Sequence, residues 1–91
     1  MRLRDKLKEI GINMGEGEFI DRIHDLWFST IPAITVDEFL CTLRVEKEFC
    51  DSFRQAHRLM GLDGEAVEKV ILSTILNERK KGFFGRHRKG A

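Results

Sequence analysis

Apolar residues recur along most of this chain at intervals of three and four, the spacing that gathers them on one face of an α-helix. Leu3, Leu7 and Ile10 make the first such face, and Gly11 follows as a fitting stop. Phe19, Ile20, Ile23, Leu26 and Trp27 make the second, with Asp21, Arg22 and Asp25 on its wet side. Val36, Phe39, Leu40 and Leu43 form a third stripe, and Phe49, Cys50, Phe53, Ala56 and Met60 a fourth. Val67, Val70, Ile71, Thr74 and Ile75 form the fifth, widened by Leu72 and Leu76. No stretch alternates apolar and polar residues for long, so the chain offers no candidate strand. The pattern predicts an all-α fold, a small bundle of four to five helices near residues 2–10, 18–28, 36–43, 46–60 and 64–81. Residues 1–81 form one helical domain, and 82–91 a flexible basic tail.

Local chemistry marks several boundaries. Thr35-Val36-Asp37-Glu38 reads as a capping box, with the Thr35 hydroxyl accepting from the Glu38 N–H and Glu38 reaching back to the Thr35 N–H. Asp63 is a good N-cap for the last helix, and Leu62 can staple onto it. Gly61 is the expected C-terminal stop of the fourth helix. Pro32 disfavours helix around Ile31, so Ser29 to Ile34 reads as a connection with Ile31 and Ile34 tucked beneath it. The third and fourth stripes are out of phase by roughly 80° at about 100° per residue. Either one helix rotates its buried face, or two helices meet at Arg44-Val45-Glu46; two helices is the reading adopted. The spacing there is that of many helix-turn-helix units. Arg44, however, stands where the turn often has Gly. The second helix also opens Glu46-Lys47-Glu48, more acid than base for a phosphate backbone. A helical corner is expected, and DNA reading by it is not.

Charge changes the picture more than composition does. The 91 residues carry a net charge of only +1, but residues 1–8 hold +3 and residues 79–91 hold +6, which leaves −8 for residues 9–78. An acidic body therefore carries two basic ends. The short first helix is basic on its wet faces, and the expectation is that it packs on the body rather than lying on a membrane. No apolar run approaches the ~20 residues that span a bilayer. Cys41 and Cys50 make no disulfide framework, and the charged run from Met1 to Ile10 lacks the apolar segment of a secretory leader, so a reducing cytoplasm is the expected setting.

Candidate chemistry is thin. The loop with Gly11, Gly15 and Gly17 carries Glu16 and Glu18 where an anion would sit, and it fits neither a phosphate loop nor a calcium loop. Cys50, Arg54 and His57 share a helix face, and Arg54 could sharpen a Cys50 thiolate. Cys50 sits on the apolar side between Phe49 and Phe53, which favours a buried inert thiol. Cys41, Cys50, His24 and His57 lack the paired spacing of a zinc site. His24 reads as a structural histidine, and Trp27 as core or, if exposed, a partner anchor. The short run Gly82-Phe83-Phe84-Gly85-Arg86 resembles the membrane-proximal motif of integrin alpha tails over those residues alone; Gly85 replaces that motif's second Lys, and no membrane helix precedes it.

The residues singled out for contact with a partner or a nucleic acid are Arg79, Lys80, Lys81, Phe83, Phe84, Arg86, Arg88 and Lys89, six cations with two rings able to stack on unpaired bases. The expectation is a small non-catalytic protein, without metal or cofactor, that acts as an adaptor or regulatory module by binding another protein or a second copy of itself. The broad fifth stripe is a candidate dimer face. The alternative is a nucleic-acid-associated protein that uses the basic C-terminal tail.

Overall fold

The computed structural model describes residues 2–30 and 35–81. Five helices follow in chain order: α1 (Leu3–Ile10), α2 (Glu16–Thr30), α3 (Val36–Leu40), α4 (Leu43–Ala56) and α5 (Gly64–Lys80). No strand occurs among the described residues. The all-α expectation holds. The tail over 82–91 and the residues Ile31 to Ile34 lie outside the described part.

α5 packs against each of the other four helices. Its buried face is Val67, Val70, Ile71, Thr74, Ile75 and Glu78; of the two residues that widened the stripe, Leu72 is partly buried and Leu76 is exposed. Around it sits a core of Leu7, Phe19, Ile23, Trp27, Phe39, Phe49 and Phe53, among others. Trp27, Phe39 and Phe49 pack edge to face, with ring centroids 4.9, 5.5 and 6.0 Å apart, and Phe19 meets Phe53 in the same way at 5.4 Å. Trp27 is a core residue, 3% exposed.

Two caps stand as expected. The Thr35 hydroxyl accepts from the Glu38 N–H at 3.1 Å, and Asp63 accepts from the Glu65 N–H at 3.1 Å. The return arm of the capping box differs: the Glu38 carboxylate receives the Thr35 hydroxyl, at 3.5 Å. α2 is longer at both ends than its stripe implied. Glu16 and Glu18 suit its positive N-terminal end, and the hydroxyls of Ser29 and Thr30 donate back to the Leu26 carbonyl at 3.1 and 2.6 Å.

The corner between α3 and α4 is real but lies earlier than the phase change suggested, at Cys41-Thr42 instead of Arg44 to Glu46. Thr42 sits in extended geometry before α4, and its hydroxyl donates to the Glu38 carbonyl at 3.0 Å, closing α3. Leu43, read as part of the third stripe, is consequently on the outside, 63% exposed, and Glu46 is turned inward.

α4 also ends earlier, at Ala56, and not at Gly61. Leu59 N–H donates to the Arg54 carbonyl at 2.7 Å and Arg58 N–H to the Gln55 carbonyl at 3.4 Å, the bonding of a Schellman end. The residue that takes the left-handed turn is Arg58, at φ 58°. α1 ends in the same way, with Gly11 at φ 92° and Ile12 N–H on the Leu7 carbonyl at 2.8 Å. The first end has glycine where the geometry wants it; the second does not.

Three outcomes follow for thermal melts. Phe39→Ala or Phe53→Ala, both at fully buried rings, should each cost about 3–5 kcal/mol, a large part of the ~5–14 kcal/mol open to a domain of this size. Arg58→Gly should stabilise by about 0.5–1 kcal/mol, a few degrees in Tm, because only glycine enters the left-handed region without strain. Gly11→Ala should do the opposite, since its new Cβ would also stand 3.1 Å from Leu62 Cδ2.

Candidate functional site

α1 is placed by its end. The Schellman bonds turn the chain so that Ile12 enters the core beside Leu7, and Gly11 closes against Leu62. This lays the short helix along α5 and the start of α2. Between the three helices lies an open groove of about 650 Å³. Leu3, Ile20 and Leu76 give it apolar walls, and Arg2, Lys6, Lys80 and Lys81 stand around it. Cations from the two basic runs that the sequence shows separately, Arg2 and Lys6 from one and Lys80 and Lys81 from the other, thus line one groove.

Carboxylates reach the groove as well. Glu78 is buried in its wall, with Oε2 taking the Lys81 ammonium at 3.2 Å and Oε1 lying 3.3 Å from His24 Nε2, also buried. Glu16 lines the groove from the first turn of α2 and is exposed. Thr74 spends its hydroxyl on the Val70 carbonyl at 2.7 Å. Among the described residues, Arg2, Lys6 and Lys80 have no ion-pair partner, whereas Arg22, Arg44 and Arg79 each hold a carboxylate within 4 Å.

Of the contact residues expected from sequence, Lys80 and Lys81 line the groove. Arg79 does not: its guanidinium is bound to Asp37 at 3.0 and 3.1 Å, tying α3 to α5. Phe83, Phe84, Arg86, Arg88 and Lys89 lie outside the described residues. Sequence reasoning missed Arg2, Lys6 and the apolar walls as parts of a site. The +3 charge of residues 1–8 was the available signal, and only the packing of α1 gave it a location.

The thiol face does not assemble chemistry. Cys50 is 1% exposed, and its thiol is pushed up to about 12, by burial first and then by Glu68, Glu46 and Asp51, with Arg54 opposing. Arg54 is turned to the loop instead, Nη2 donating to the Met60 and Leu62 carbonyls at 3.4 Å each. The His57 ring packs on Phe53 at 4.6 Å, and burial, with Arg22 second, lowers its pKa. Among the described residues, no three His, Cys, Asp or Glu side chains gather as a metal site, and no helix is long and apolar enough to cross a membrane. No protein-family model matches the chain, and comparison with curated proteins and with solved structures finds no match.

Glu46 supplies a pH test of this region. Burial first, and the Glu68 carboxylate second, push its carboxyl above the ordinary range. The folded chain therefore keeps a proton there that the unfolded chain has released, so stability falls as pH rises through that window and the cost is fully present at pH 7. Glu46→Gln should raise Tm at pH 7, and the gain should vanish on acidification below the usual glutamate range near 4.5.

Proposed function

We propose that the protein is a small non-catalytic interaction module, an adaptor or regulatory protein, that binds another protein across the groove between α1, α2 and α5. One observation carries the reading: Arg2 and Lys6 from the first basic run and Lys80 and Lys81 from the last line one groove together with Leu3, Ile20 and Leu76. A surface that joins apolar area to a charged rim is the usual anatomy of a protein interface. The burial of Cys50 supports the non-catalytic part, because a thiol pushed up to about 12 is no nucleophile. A cytoplasmic setting belongs to the same proposal, since both thiols are free and exposed Cys41 suits a reducing compartment. A second copy of the chain is one form the partner could take, with Leu76, 37% exposed, at the contact.

Nucleic-acid binding through the C-terminal basic residues is the second reading. It draws on Lys80 and Lys81, the same cations that line the groove. Capture from native extract by the tagged full chain, with and without nuclease, separates the two. The expected result is a protein partner that survives nuclease, is lost with Lys6→Glu/Lys80→Glu, and is kept with Leu43→Ser, an exposed apolar change on α4. Loss of all bound material on nuclease treatment, or capture indifferent to the groove variant, overturns the proposal.

A further inference from the structure

We infer that the groove takes an acidic amphipathic helix from its partner, apolar side chains against Leu3, Ile20 and Leu76 and carboxylates against Arg2, Lys6 and Lys80. The inference rests on the reading of the groove as a protein-binding site. Charge complementarity carries it. Residues 9–78 hold a surplus of eight negative charges, yet Arg2, Lys6 and Lys80 stand together with no carboxylate partner among the described residues. Lys81 is shared with Glu78. Cations left open beside apolar walls have two things to offer at once, and a ligand with carboxylates flanking leucine-like side chains uses both.

The same walls disfavour a phosphate chain. Among the described residues lining the groove none is aromatic, so these walls offer unpaired bases no platform to stack on. Glu16 is exposed in the groove, and a duplex presents a charge every ~1.7 Å with no means of skipping it. A helix places its carboxylates at chosen positions and leaves a gap opposite Glu16. The dimensions fit as well. The α5 wall runs from Ser73 to Lys81, about 12 Å at ~1.5 Å per residue, enough to seat two turns of a docked helix with anchors at i and i+4.

The test is fluorescence anisotropy with the full chain and a labelled helical peptide that carries Leu at i and i+4, flanked by Glu. Parallel probes are the same peptide with each Glu replaced by Gln, and a single-stranded oligonucleotide. The acidic peptide should bind, more weakly as salt is raised, and about tenfold more weakly to Lys6→Glu/Lys80→Glu. The Gln peptide should lose about as much. Leu76→Ser, at a partly exposed position, should weaken binding severalfold while the melting curve stays in place, which separates an apolar anchor from a purely ionic contact. The inference is overturned by a peptide that fails to bind, by binding indifferent to either variant, or by an oligonucleotide that binds more tightly and depends on the same lysines. If the peptide fails while nuclease-resistant, groove-dependent capture persists, the helix is the wrong occupant and the interaction module stands. If capture itself is nuclease-sensitive or independent of the groove, the module reading fails whatever the peptide does.

Discussion

The rest of the structure depends on the burial of α5. α5 touches all four other helices, and its buried set, Val67, Val70, Ile71, Thr74, Ile75 and Glu78, falls within one arc of about 140° at ~100° per residue. Apolar burial supplies most of the driving force at this size, on the order of 25 cal/mol per Å². The polar members of the stripe have to be matched locally, because an unpaired buried polar group costs more than a hydrogen bond returns. Thr74 is matched within its own helix, through the Val70 carbonyl. Glu78 lies between Lys81 on the next turn and His24 on α2. The apolar stripe thus turns polar at the C-terminal end of α5, where the groove opens.

Boundaries show what one sequence can and cannot disclose. The element count, the all-α class and the caps at Thr35 and Asp63 were legible because each is a matter of a few neighbouring residues. The α3–α4 corner was legible as a phase change but misplaced, because Thr42 closes α3 with its hydroxyl and α4 begins at Leu43, with only Cys41 and Thr42 between the helices. Periodicity alone put Leu43 inside and read Glu46 as part of an exposed acidic helix start, where the fold has the reverse. The end of α4 was misread for a different reason. Gly61 is the residue a glycine rule selects, but the chain takes the left-handed turn at Arg58 and buries Leu59 behind it. The Arg54 guanidinium then lies against the Met60 and Leu62 carbonyls, a use of arginine that its spacing from Cys50 did not suggest.

The site was legible only in halves. The charge count placed cations at both ends of the chain, but nothing in the sequence says that Lys6 and Lys80 line the same cleft. That follows from how α1 is fixed: Leu7 in the core, Gly11 in the left-handed turn, and Ile12 drawn in behind it. The sequence also could not separate Arg79 from its neighbours in the same basic run. Three consecutive cations on a helix point in different directions, and here Arg79 faces Asp37 of α3 while Lys80 and Lys81 face the groove.

That division has an energetic consequence. Arg79 and Asp37 are both largely exposed, so their pair stabilises the fold by little, ~0–1 kcal/mol. Its structural effect is to hold the short α3 against the end of α5, and it takes one cation out of contention for a ligand. Arg2, Lys6 and Lys80 gain nothing comparable within the fold, and like charges held near one another oppose folding. Their attraction for an incoming anion is meanwhile undiminished by an internal partner. In the proposed reading, the surplus of eight negative charges on residues 9–78 disfavours an anionic partner elsewhere on that part of the chain and favours the groove. A net charge near zero conceals this arrangement. What the fold contributes is to bring Arg2 and Lys6 to the same groove as Lys80 and Lys81, 74 or more residues away along the chain.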